Sequence, residues 1–195
     1  METTKKTKEM DMLNGGLAGK LILFSIPLAF SSILQQLFNS ADVAVVGRFA
    51  GSAALAAVGG NSPVINLLIN MFVGLSIGAN VIIANFIGQG REDKVKEAVH
   101  TVMSVALISG VSLLVIGIII AKPILLMINT PSEVINLAVL YLRIYFLGMP
   151  FVMVYNFGAA ILRSTGETRK PLYCLIISGI INILLNLLLV IVFHL

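Results

Sequence analysis

Asp42 lies inside the first long apolar stretch of the chain, Leu21 to Val46, and is preceded there by Ser31, Gln35 and Asn39. At about 100° per residue these four side chains share one narrow face of a helix. A carboxylate among amide and hydroxyl oxygens suits a hard cation or an exchangeable proton, because oxygen ligands match such cations and the carboxylate supplies the countercharge. An acid in an apolar helix is costly and by default marks an ion or substrate pathway. The bland alternative is positional: Asp42 is about 9 Å along the helix from Arg48 and would then sit in headgroup water. The polar face continues inward from Asp42, which favours the pathway.

Other polar residues extend this pattern. Ser178, Asn182 and Asn186 recur every four residues in a Leu- and Ile-rich stretch, and Asn66 and Asn70 stand one turn apart in another. Such amides either line a cavity or hold helices together, at about 1 kcal/mol each. Pro27 removes a backbone hydrogen bond below the Asp42 stripe and favours a kink. Gly148 and Pro150 interrupt a later apolar segment and free carbonyls there. Arg143 either pairs with a carboxylate or snorkels outward, the second being favoured, and Tyr141 and Tyr145 fit an interfacial aromatic belt.

Several chemistries lack their parts. No nucleophile stands beside a base, no paired carboxylates lie within one membrane helix, and Gly88-Gln89-Gly90 reads as a turn rather than a phosphate loop. Cys174 is the sole cysteine, and two distant histidines cannot form a metal cluster. Neither an enzyme nor a bound cofactor is expected.

The elements that must position Asp42 follow from composition. The 195 residues are 58% hydrophobic and 11% charged, more apolar surface than a soluble domain can hide. The expectation is an all-α integral membrane protein lying in the lipid bilayer. Crossing hydrocarbon takes roughly 20 apolar residues, and five segments qualify: 19–46, 54–87, 98–121, 133–162 and 172–193. The second is long enough to be one tilted or bent helix, with Gly74 and Gly78 as the bend or as a close-packing G-x-x-x-G pair. Thr130-Pro131-Ser132-Glu133 has the form of a capping box opening the fourth.

Lysine and arginine collect at 5–20, 91–96 and 163–170 and are sparse elsewhere. They therefore read as topology signals, not as a nucleic-acid surface, and place the N-terminus in the cytoplasm of a multi-pass inner (plasma) membrane protein. Residues 1–18 form a cytoplasmic lead-in to a transmembrane unit, 19–195. The opening lysines precede an apolar run too long for a signal peptide, so the first span should be retained.

Asp11-Met12-Leu13-Asn14-Gly15-Gly16, Ser25-Ile26-Pro27, Asn39-Ser40-Ala41-Asp42, Ile87-Gly88-Gln89-Gly90 and Leu162 to Pro171 together resemble the multidrug and toxic compound extrusion (MATE) transporter family. The resemblance implies a lobe of six helices, here incomplete after five, facing a second lobe across a cavity. It also implies antiport of cationic or amphipathic drug-like compounds against Na⁺ or H⁺ by alternating access. Asp42 matches the family's first-helix acid and Asn182 a fifth-helix asparagine of the same cation site, where Na⁺ would bind. Asn186 stands where some members carry aspartate, leaving one carboxylate. The implied cation or proton set is Asp42, Asn39, Asn182, Asn186 and Gln35, with Pro27, Ser31, Asn66, Asn70, Ser178 and Pro150 as hinge or cavity positions. The missing C-terminal lobe makes the chain either a fragment or a part needing other polypeptide. The rival readings are a lipid-linked oligosaccharide flippase of the same superfamily and an inert or scaffolding membrane fragment.

Overall fold

A computed structural model describes residues 17–192; the Asp11 to Gly16 motif and nearly all of the lead-in lie outside the described residues. Six α-helices follow one another: α1 Leu17–Phe49, α2 Gly51–Gly88, α3 Glu92–Met127, α4 Ile135–Leu147, α5 Met149–Ser164 and α6 Arg169–Leu187, with a π-helical turn at Leu188–Val192. No strand occurs among the described residues. Four helices are long and apolar enough to cross a membrane, and α4 with α5, bent by 47°, makes a fifth when the pair is taken as one span. At 13 residues, α4 reaches only about 20 Å, less than the roughly 30 Å of hydrocarbon, so it crosses only together with α5. The protein is an all-helical, multi-pass membrane protein.

The bend has a local cause. Pro150 stands in the first turn of α5, where its missing N–H costs nothing, and Gly148 accepts from both Phe151 and Val152. The expected interruption at Gly148 and Pro150 is therefore present. Its backbone packs on α3, since a Cβ on Gly110 would meet Pro150 Cα at 2.6 Å. About two turns further along α3, Phe146 fills the space over Gly117.

These close approaches are what hold α2 to α5 together. Lipid is as apolar as leucine, so helices in a bilayer associate through van der Waals fit, and small residues bring backbones near. The buried cluster is drawn from α2 to α5 and follows that rule, with Ala57, Ala106, Ala121 and Ala138 around Leu142, Phe146 and Phe157. In contrast, α1 contributes no residue to the cluster and packs chiefly against α6 and α2.

Two expectations need correction. The G-x-x-x-G pair does not join helices: nothing lies within 4 Å of a Cβ built on Gly74 or Gly78, and α2 runs unbroken past both. The close contacts fall instead where a large ring or a proline faces the glycine. Nor does Thr130 to Glu133 form a capping box. The Pro131 carbonyl accepts from Val134 and Ile135 in a turn, and α4 starts at Ile135 with no side-chain cap; this turn uses the backbone that a capped helix would need.

Pro27 lies inside the continuous helix α1, and Ser31 Oγ donates to its carbonyl at 2.8 Å. Such a bond back to the previous turn accompanies bent helices.

Candidate functional site

The neighbours of α1 fix its direction relative to α6. Phe38 lies against Gly179, and four residues further along, Asp42 meets Asn186. Both contacts advance the same way, so α1 and α6 run parallel, as first and fifth crossings must. Because Gly179 has no side chain, the Phe38 ring fits against the α6 backbone just below the polar contact.

At that crossing Asn186 Nδ2 donates to Asp42 Oδ1 at 2.5 Å, and also lies 3.5 Å from Asn182 Oδ1. Asp42 and Asn186 are half-buried and Asn182 is exposed. No ion pair reaches Asp42 among the described residues. Among the described residues Asp42 Oδ2 accepts no hydrogen bond, and the Asn186 amide that reaches Oδ1 also approaches the Asn182 amide oxygen. One negative charge with neutral oxygen donors has the composition of a monovalent cation or proton site. Among the described residues no three His, Cys, Asp or Glu form a metal-ligand group.

The remaining stripe divides. Ser31 is buried and satisfied by the Pro27 carbonyl, whereas Gln35 and Asn39 are exposed on α1 without a hydrogen-bond partner among the described residues. Ser178 is exposed and bonds back to the Leu175 carbonyl. Asn66 and Asn70 are exposed on α2 and make no side-chain hydrogen bond among the described residues. Arg143 is exposed and makes no ion pair among the described residues.

Two polar residues escaped the sequence reading. Tyr141, expected only as part of an aromatic belt, is half-buried on α4 beside Tyr145, with ring centroids 6.2 Å apart. Asn61 is fully buried in α2, and its Nδ2 donates 2.9 Å to the Ala138 carbonyl of α4. Its signal was available: Ala57, Asn61, Val64 and Ile65 share helical spacing, and all four are buried.

A parallel pair of helices clasped by an acid and an amide, beside a compact four-helix body, is a recognisable arrangement. The chain belongs to the MatE family, whose model matches residues 27–188. It is 37% identical over 163 residues to "Probable multidrug resistance protein YoeA" of Bacillus subtilis, covering 84% of this chain and 35% of that protein. It is 29% identical over 189 residues to "Probable multidrug resistance protein YpnP" of the same organism, covering 96% and 42%. Among solved structures, "Crystal structure of MATE in the bent conformation" superposes with TM-score 0.88 at 26% identity, covering 95% of this chain and 41% of that one. The chain thus spans well under half the length of these relatives. Their names do not favour the flippase reading.

Proposed function

We propose that this chain supplies the N-terminal lobe helices of a secondary multidrug antiporter, which exports cationic or amphipathic compounds against inward Na⁺ or H⁺. The names of its relatives support drug efflux as the activity. The Asp42 to Asn186 contact supports the site, because the acid of α1 finds its hydrogen-bond partner on α6.

In this reading Asp42 carries the coupling charge. While Asp42 is ionised, the Asn186 amide N–H satisfies one of its oxygens. A bound Na⁺ would take oxygens from Asp42, Asn182 and Asn186, with Asn39 and Gln35 as the further exposed donors on α1. A proton on Asp42 makes one of its oxygens a donor and removes the charge that strengthens the bond from Asn186, while the other oxygen can still accept. Either event changes what holds α1 to α6. Occupancy therefore shifts the balance between two packings of the pair about Pro27. The N-terminus lies in the cytoplasm, and the exposed faces of α1, α2 and α6 bearing Gln35, Asn39, Asn66, Asn70 and Ser178 line the cavity shared with the second lobe.

The test is drug resistance in a sensitive host expressing a two-lobe polypeptide that begins with this chain. Asp42→Asn abolishes resistance while membrane insertion persists. Unimpaired resistance in that variant refutes the assignment.

A further inference from the structure

The Leu162 to Pro171 motif takes no part in the Asp42 site, yet its turn is closely built. α5 ends at Ser164 and α6 begins at Arg169, so a short turn joins two crossings and stands at the headgroup level. Gly166 takes φ +82°, a conformation glycine adopts without strain, and the N–H groups of Gly166 and Glu167 donate to the Arg163 and Leu162 carbonyls. The Thr165 hydroxyl also donates to the Leu162 carbonyl, Tyr155 Oη donates 3.2 Å to the Pro171 carbonyl, and Thr168 is buried. The ends of α5 and α6 are thereby held in one arrangement.

The charges on this turn are unevenly matched. Glu167 is engaged twice: Oε2 lies 3.6 Å from Lys170 Nζ, and Oε1 accepts from the Arg169 backbone N–H. Arg163, in the last turn of α5, is partly buried, and its guanidinium makes no ion pair or hydrogen bond among the described residues. Its Nε is sealed without an acceptor, which leaves the terminal nitrogens as the accessible edge of the group. The basic residue of the α2–α3 turn differs, since Arg91 Cζ lies 6.0 Å from the centroid of the Phe86 ring.

A charge drawn partly out of water calls for an acceptor. The planar guanidinium fork matches a phosphate, whose oxygens accept two parallel N–H bonds. Anionic phospholipids present such oxygens at the depth of this turn, and their surface potential draws further basic residues towards them. Arg169 and Lys170 are exposed in the first turn of α6 and supply that attraction.

We propose that Arg163 anchors an anionic phospholipid at the α5–α6 turn, its terminal nitrogens holding the headgroup phosphate. Arg169 and Lys170 add charge without fixing the headgroup. The site is distinct from Asp42, because Asn186, the partner of Asp42, stands about 25 Å from Arg169 along α6. It does not depend on the coupling role of that acid.

The test titrates the whole 195-residue chain, purified with phosphatidylcholine, with phosphatidylglycerol and counts retained lipid by native mass spectrometry. The wild type retains phosphatidylglycerol in preference to phosphatidylcholine. Arg163→Gln needs about tenfold more of it for the same occupancy, the scale of one charge-assisted hydrogen bond. Arg91→Gln, with the same net charge, leaves occupancy unchanged. Arg163→Lys falls between wild type and Arg163→Gln, because an ammonium keeps the charge and loses the fork. Should Arg163→Gln fail to fold, Arg163→Lys against Arg91→Lys carries the same readout. Equal weakening by the Arg163 and Arg91 variants would show diffuse surface attraction and overturn the site. Displacement of the lipid by inorganic phosphate would assign the turn to a free anion instead, and an absence of preferential retention in the wild type would also overturn the proposal.

Discussion

Asn186 of α6 donates its amide N–H to the Asp42 carboxylate of α1 across 144 residues of sequence. The bond joins the two helices that contribute least to the central apolar cluster. It is also the one described hydrogen bond to that carboxylate, which makes its removal informative.

Asn186→Leu should loosen the pairing of α1 with α6 by about 1 kcal/mol, the ordinary worth of a hydrogen bond between membrane helices. Asn182→Leu should cost less, because its contact with Asn186 is long and exposed. Thermal unfolding of both variants in lipid checks the order. A larger loss at Asn182 would mean that Asn186 is not the principal partner.

Gly179→Ala should disturb the same pair sterically, since a methyl there collides with the Phe38 ring. Overpacking of this kind costs about 1–3 kcal/mol. The colliding atoms are at the far end of a side chain, so shortening Phe38 should recover part of the loss. A double-mutant cycle with Phe38→Leu measures this coupling, and strict additivity of the two changes would disprove the contact.

The glycines of the four-helix body should separate into two groups. Gly110→Ala should be severely destabilising, because its methyl meets the Pro150 backbone, which cannot rotate away. Gly74→Ala and Gly78→Ala should be neutral or stabilising by up to about 1 kcal/mol, from helix propensity alone. Unfolding midpoints of the three variants decide this, and a loss at Gly74 or Gly78 comparable with Gly110 would contradict the packing described.

This contrast also marks what was legible in the sequence. Hydropathy and length located the crossings because hydrocarbon thickness is a one-dimensional constraint. The acid and amides of α1 and α6 stood out because polar side chains in apolar helices need a reason. The capping-box pattern at Thr130 misled, because a turn closed by the Pro131 carbonyl competes for the same residues. The G-x-x-x-G pair misled because spacing marks a possible contact face without saying which helix, if any, lies against it. Asn61 was missed beside the more conspicuous Asn66 and Asn70, although burial depends on the face and not on the residue type.

Topology provides a separate check. With Cys174 replaced by alanine, a cysteine at Gln89 should react with a membrane-impermeant thiol reagent only after cell lysis, and one at Thr130 in intact cells. The opposite pattern would reverse the orientation derived from the lysine and arginine distribution.

The central claim is that the Asp42 charge state is coupled to movement of cargo. Its most direct test is efflux of a cationic dye from vesicles bearing the two-lobe polypeptide, driven by an imposed Na⁺ or proton gradient. The wild type should respond to one of these gradients, and Asp42→Asn should show no gradient-driven flux at equal protein level. Gradient-driven flux in Asp42→Asn equal to that of the wild type would contradict the account.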